Sequence, residues 1–330
     1  MKIIHCAPFN LFTKTGGSLY SNPVKISMGL VENGHFVHNF DYRDSSRYYS
    51  LIKNKKNGQK KMNHLFKKLI DEIKPDLIIF GHAELIEEGL FYDLKKRNTK
   101  MIFWYNDMII DTLFKKVGHL FDKVFITGAG KIIDDLKQIN GESFFLPNPV
   151  HKSIESNIAY DRKQKYDLLF SGRKDEERKK LISFMEINFS KLNDKYIGQN
   201  PENTIIGNEY FDLICDSKIV LNHSRDMYKM NKWYTSDRLM HILGNGSFCL
   251  SRTIIDGEDF FEDKLDYYKD ENELKEKVFY YLENKEERIS KAKWLHKRVH
   301  ELFNTKDVSS YIIDILNEDN KNLSKYEWYK

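Results

Sequence analysis

Cysteine is scarce in this chain: three thiols in 330 residues. Cys6, Cys215 and Cys249 are odd in number and far apart, two of them inside strand-like apolar runs. That pattern excludes a disulfide frame and a cysteine zinc site, and predicts buried, reduced thiols. Long apolar runs are missing too, since stretches such as Leu77 to Phe80 and Met108 to Ile110 fall far below the ~20 residues that cross a bilayer. The opening Met1-Lys2-Ile3-Ile4-His5-Cys6-Ala7-Pro8 reads as a short strand ended by proline and lacks the apolar core of a leader, so a cytoplasmic location is expected. Charge of one sign is also lacking: 53 Lys and Arg stand against 49 Asp and Glu, a net charge of +4. With aromatics not interleaved among the basic residues, a nucleic-acid partner is not expected.

Several motifs are absent. Gly128-Ala129-Gly130 follows a strand, but Ile133 stands where a dinucleotide fingerprint needs its third glycine, which excludes NAD. The same segment lacks the upstream glycine and the Ser or Thr of a nucleoside triphosphate loop. No Asp-x-Asp and no His/Cys cluster occurs, so a hard cation has no obvious ligands, and no Gly-x-Ser-x-Gly elbow offers an acyl nucleophile. Neither a metal nor a cofactor is expected.

What is present is a well-solvated globular sequence, 31% charged, 41% apolar and 14% aromatic, long enough for two cores. The first half alternates short apolar runs with helical stretches, the pattern of βα units on a parallel sheet. Strands are predicted at 2–8, 36–40, 76–80, 100–105, 123–127 and 143–146, with helices at 24–32, 62–73 and 85–97. Pro147-Asn148-Pro149-Val150 and a polar stretch to Lys165 mark a boundary. A second βα series starts at Tyr166 and continues through Ile219–Asn222 and Ser247–Ser251 to long helices between Glu271 and Phe303. The expected organisation is α/β, with doubly wound domains at 1–150 and 151–306, then a helix and aromatic tail at 307–330 that packs back across the boundary.

The residues that carry chemistry lie mostly in the second half. Arg173 follows the strand Phe170-Ser171-Gly172, and Arg178, Lys179 and Lys180 fall in the next helix. Strand C-termini are where open α/β sheets bind ligands, and a guanidinium there can hold a phosphate bidentately, although a solvated helix face also explains these charges. The run from Tyr234 to Phe248 reads as polar loop, short helix, glycine turn and strand. Ser236, Asp237 and Arg238 open that helix, where free N–H groups suit a pyrophosphate, or where Ser236 or Asp237 is a plain cap.

Strand-Gly-Arg, a Leu-Asn-His-Ser strand end at Leu221 to Ser224, and Ser-Asp-Arg-Leu-x-x-Ile-Leu-Gly-x-Gly-x-Phe from Ser236 to Phe248 together resemble the C-terminal half of GT-B glycosyltransferases. Within that fold family they are most similar to bacterial spore-maturation-type proteins and enzymes of surface-polysaccharide assembly. Asp270-Glu271-Asn272-Glu273-Leu274 and Tyr281-Leu282-Glu283-Asn284 agree, so the likeness runs over about residues 166 to 305. It implies two Rossmann-like domains facing a cleft, and transfer of a sugar from a nucleotide-diphosphate donor to a hydroxyl of a glycan or lipid-linked glycan. It places Arg173 and Lys179 on the diphosphate, Asn222 and Ser224 near the nucleotide, and Ser236, Arg238, His241, Gly244, Gly246 and Ser247 around the phosphates or ribose. There is one departure: many retaining members carry two Glu where this chain has Trp233 and His241, which leaves the anomeric outcome open. A non-catalytic nucleotide-sugar binder is the rival reading.

In the first half, Thr15-Gly16-Gly17-Ser18 sits where the resembled enzymes bring a glycine loop to the donor, or is a simple turn. His82 and Asp107 follow strand ends. Either can serve as general base to the acceptor hydroxyl, or be a hydrogen-bonded loop histidine and a helix cap respectively. Between Ser45 and Ile70 stand eight basic residues, Lys53 to Lys68 among them, and no acidic one. They form an exposed lysine-rich loop or a peripheral contact with the inner face of a membrane.

Overall fold

The computed structural model describes residues 1–12, 16–50, 56–97, 99–105, 110–173, 175–198, 202, 204–228 and 230–329. The chain forms two compact units, one of Met1–Pro149 with Thr305–Lys330 and one of Val150–Asn304.

In the first unit the order is β1 (Lys2–Cys6), α1 (Asn22–Glu32), β2 (Phe36–Phe40), α2 (Tyr42–Tyr48), α3 (Gln59–Ile73), β3 (Leu77–Gly81), α4 (Glu88–Lys96), β4 (Lys100–Tyr105), α5 (Thr112–Val117), β5 (Lys123–Ile126), α6 (Lys131–Lys137) and β6 (Ser143–Phe145). In the second, β7 (Tyr166–Ser171), α7 (Glu176–Asn188), β8 (Asp194–Ile197), α8 (Asn208–Cys215), β9 (Ser217–Asn222), α9 (Asp237–Gly244), β10 (Cys249–Arg252), α10 (Glu258–Phe261), β11 (Asp266–Tyr268), α11 (Glu271–Glu283) and α12 (Lys285–Leu302) follow. The chain ends in α13 (Thr305–Leu316) and α14 (Asn320–Leu323), which belong to the first unit.

Six strands in the order β2-β1-β3-β4-β5-β6 make one sheet and five in the order β11-β10-β9-β7-β8 make the other. Every paired strand runs parallel. Parallel sheets are covered by helices on both faces, and for that reason their inner strands are continuously apolar. Leu77 to Gly81 is buried at every position. The helix breaks follow local chemistry: Gly34 takes φ +82 after α1, and Lys74 takes a left-handed conformation ahead of Pro75 to end α3.

The first core is aromatic. Phe103 touches Phe114 at 4.9 Å and Phe121 at 5.1 Å between ring centres, and Phe91 meets Phe80 at 5.1 Å. The expected tail, 307–330, joins this unit through α13, together with Thr305 and Lys306. Ser309 Oγ donates to the Ile26 carbonyl at 3.0 Å, and Tyr311 packs on Phe125, Tyr326 and Trp328. The second core gathers Leu168, Phe170, Ile219, Leu221 and Leu250 from the strands with Leu181, Met185, Leu274 and Val278 from the helices.

The α1–α13 contact sets a test of the first unit. A Cβ at Gly29 would stand 2.1 Å from the Thr305 carbonyl oxygen and 2.5 Å from Ser309 Oγ. The first of these is backbone and cannot swing away, so overpacking in Gly29→Ala costs about 1–3 kcal/mol. Urea unfolding shows this as a lower midpoint at unchanged slope; a midpoint equal to the wild type means that the helices are not this close.

Candidate functional site

All strands of a parallel sheet open their C-termini on one edge, so the loops after β7, β9 and β10 in the second unit meet there. They bring Gly172-Arg173, His223-Ser224-Arg225 and Arg252 to that edge. The start of α9 arrives at the same place with Ser236 as its cap, the Oγ accepting from the Leu239 N–H.

Arg238 is the hub. Its Nη1 donates to the Ser171 carbonyl at 2.5 Å and its Nη2 to the His223 carbonyl at 2.8 Å. Asn222 Oδ1 accepts from Nε at 3.3 Å, from Nη2 at 3.2 Å and from Ser236 Oγ at 2.9 Å. The Asn222 amide is itself fixed by donating to Ser251 Oγ at 2.9 Å, and the Phe170 ring lies 5.5 Å beneath the guanidinium. Every acceptor of Arg238 among the described residues is a neutral oxygen, so its charge is oriented but not cancelled.

Arg178, from the first turn of α7, stands beside it. A Cβ on Gly172 would lie 3.1 Å from Arg238 Nη1 and 3.3 Å from the Arg178 guanidinium carbon. Glycine at this strand end therefore lets both guanidinium groups approach the backbone. Arg178 Nη1 donates to the Arg173 carbonyl at 3.2 Å, and its Nε is buried with no partner. Burial, then repulsion from Arg238, lowers its pKa to about 10. Two like charges held this close in a half-dry site favour an incoming anion.

Carboxylates border the pair; Arg178 has one at ion-pair distance and Arg238 has none among the described residues. Asp175 accepts from Arg225 Nε at 2.9 Å and lies 3.7 Å from Arg178. Glu177 binds Arg252, which also holds Asp226 at 2.7 Å. His223 shares a 2.8 Å hydrogen bond between Nδ1 and the Tyr268 hydroxyl. Burial first, then Arg252, Arg238 and Arg178, push its pKa down to about 3, so the ring is neutral.

The structure divides the sequence candidates. Asn222, Ser224, Ser236 and Arg238 gather at this edge, and Arg173 is exposed beside them. Lys179 points outward and pairs with Glu176. His241 is buried against Tyr210 and Phe211, each 5.7 Å away. Gly244, Gly246 and Ser247 immediately precede β10, at the opposite edge of the sheet. There the Gly244 carbonyl meets His300 Nε2 at 2.8 Å, Gly246 takes φ +69 against Tyr160, and Ser247 Oγ donates to the Ile214 carbonyl at 3.0 Å. Trp233 is core as well, donating from Nε1 to Asp259 at 3.0 Å. The sequence alone singles out neither Arg252 nor Arg225, has His223 only within the Leu221–Ser224 strand end, and has Arg178 only as a helix residue. The usable signal for His223, Arg225 and Arg252 is their position at or just past a strand end.

In the first unit Gly16, at φ +83, and the buried Gly17 follow β1. His82 follows β3 with φ +67 and Ala83 with φ +61; the His82 ring lies edge-on to Tyr105 at 6.4 Å. Two successive non-glycine residues in the left-handed region store strain of the kind that gathers at functional sites. Thr15, Asp107, Lys53 and Lys55 lie outside the described residues. The three cysteines are free and buried. Among the described residues no group of three His, Cys, Asp or Glu side chains is placed to hold a metal, and no helix is long and apolar enough to cross a membrane.

The model of a family described as glycosyl transferase-like matches residues 163–314. No curated protein sequence matches the chain. Among solved structures, sucrose-phosphate synthase from Thermosynechococcus elongatus is similar at 12% identity and TM-score 0.63, over 96% of this chain and 98% of that one. An alpha-glucosyltransferase in complex with UDP and a 13-mer DNA containing a HMU base is similar at 12% identity and TM-score 0.65, over 96% and 99%. A glycosyltransferase involved in avilamycin A biosynthesis gives 10% identity and TM-score 0.59, over 96% and 97%. The chain has the GT-B fold, and Arg238 and Arg178 lie within the residues that the family model matches.

The neutral His223 sets a pH dependence. With its folded pKa near 3 against an ordinary 6.5, the unfolded chain binds more protons in that window, so stability falls as pH drops from 6.5 toward 3. In His223→Gln this part of the slope disappears. Urea midpoints across the acid range measure it, and an unchanged slope removes His223 from the buried cluster.

Proposed function

We propose that the chain transfers a sugar from a nucleotide-diphosphate donor to a hydroxyl of a glycan acceptor, using no cofactor and no bound metal. The observation that carries this reading is the Arg238–Arg178 pair at the strand C-termini of the second unit. A leaving diphosphate gathers negative charge as the glycosidic bond breaks, and preorganised donors aimed at that charge are the largest single contribution to such catalysis. Arg238 supplies a guanidinium already locked in place, and Arg178 a second one whose depressed pKa recovers beside an anion. Side-chain cations then do what a divalent ion does elsewhere. His82, on its strained turn, and Asp107 are the two candidates for taking the acceptor proton. The acceptor class rests on the sequence resemblance to enzymes of surface-polysaccharide assembly. A donor-binding protein without transferase activity is the second reading, favoured by the core positions of Trp233 and His241.

Nucleoside diphosphate release from a panel of nucleotide sugars, with glycan acceptors and EDTA present, separates the two. Turnover in EDTA supports transfer by side-chain cations. Binding without turnover leaves the donor-binding protein, and loss on chelation restored by manganese overturns metal independence. Charge-assisted hydrogen bonds contribute about 1.5–3 kcal/mol each, so Arg238→Ala weakens nucleoside diphosphate binding by roughly ten- to a hundredfold. Lys179→Ala, at an exposed pair with Glu176, changes it by less than about twofold. If affinity is insensitive to Arg238, the diphosphate lies elsewhere.

A further inference from the structure

The first unit carries a surface that sugar transfer does not use. Asp41 caps α2 and its Oδ2 also accepts from the Phe9 and Asn10 N–H groups at 2.8 Å each; Asp44 Oδ2 accepts from the Phe12 N–H at 2.8 Å. Two buried carboxylates thus clamp the turn after β1 onto α2, and the side chains left at its tip are apolar and face water. Leu11 is 46% exposed and Phe12 78%; on α2, one turn beyond Asp44, Tyr48 is 80% exposed. Gly58 packs against α2 so closely that a Cβ there would lie 1.7 Å from the Ser46 carbonyl oxygen. This sets the start of α3 beside α2, with Lys56, Lys60 and Lys61 exposed.

The charge is sorted by depth. Of the acidic groups at α2, Asp41 and Asp44 are buried and spent on backbone N–H groups and Arg47, and Glu84 is held by Tyr42 and Arg43, while Lys60 and Lys61 are exposed. No Asp or Glu occurs between Ser45 and Ile70. Exposed aliphatic and aromatic tips with exposed lysines at the start of the neighbouring helix match a lipid interface, in which apolar side chains enter the acyl boundary and ammonium groups meet anionic headgroups. Duplex DNA accounts for the lysines but gives an exposed leucine nothing to bury against.

We infer that Leu11, Phe12 and Tyr48, with Lys56, Lys60 and Lys61, dock the first unit on an anionic lipid surface. The inference does not rest on the transferase reading, because it concerns binding to vesicles and not turnover. The test is sedimentation of the full chain with vesicles of phosphatidylcholine alone and of equal parts phosphatidylcholine and phosphatidylglycerol, with a duplex DNA competitor as a further arm. The expected result is partition at least about tenfold stronger onto the anionic vesicles, weakened by salt. Phe12→Ser and the double variant Lys60→Glu/Lys61→Glu each reduce it about tenfold or more, while their circular dichroism and nucleotide affinity match the wild type. Equal partition onto both vesicles, insensitivity to both variants, or release from vesicles by DNA at matched charge overturns the proposal.

Discussion

The second unit is organised around a charge that is held but not cancelled. Arg238 fastens three elements at once: the end of β7 through the Ser171 carbonyl, the end of β9 through Asn222 and the His223 carbonyl, and the start of α9 on which it sits. Each of these contacts uses a neutral oxygen, which orients the guanidinium at low cost and leaves its field intact. Arg178 intensifies that field and Gly172 permits the approach. The ion pairs Arg225–Asp175 and Arg252–Glu177 set a partly balanced border around it. A buried like-charge pair is a standing cost to the fold that an anion between the two groups would relieve.

Much of the fold was legible because parallel strands are buried on both faces and advertise it. β4 at Lys100–Tyr105 and β2 at Phe36–Phe40 match their predicted spans. The elements that escaped are those whose stability comes from tertiary partners. β8, Asp194–Ile197, is an edge strand beginning Asp-Lys and shows no apolar run. α2 has seven residues, most of them polar, and exists through the Asp41 cap and the packing of Gly58 on Ser46. The tail gave its aromatic character in sequence, but which core takes Tyr326 and Trp328 is decided by Tyr311, a contact that no local pattern encodes.

The candidate site was half legible for a geometric reason. The run Ser236 to Ser247 reads as one motif, yet an eight-residue helix carries the chain about 12 Å from one sheet edge to the other. Ser236 and Arg238 are therefore at the ligand edge, while Gly244, Gly246 and Ser247 shape the turn into β10. Likewise Arg178 and Lys179 are neighbours in sequence but about 100° apart around α7, so one faces the strand ends and the other water. Composition along the chain cannot separate such pairs; the direction of the helix does.

The central claim is that the diphosphate binds between Arg238 and Arg178. A crystal structure of the protein with a nucleoside diphosphate tests it most directly. The account predicts phosphate oxygens within hydrogen-bond distance of both guanidinium groups, with Asn222 still holding Arg238 in its present orientation. Phosphates bound instead at the Gly244–Ser247 turn, or contacting neither arginine, would contradict it.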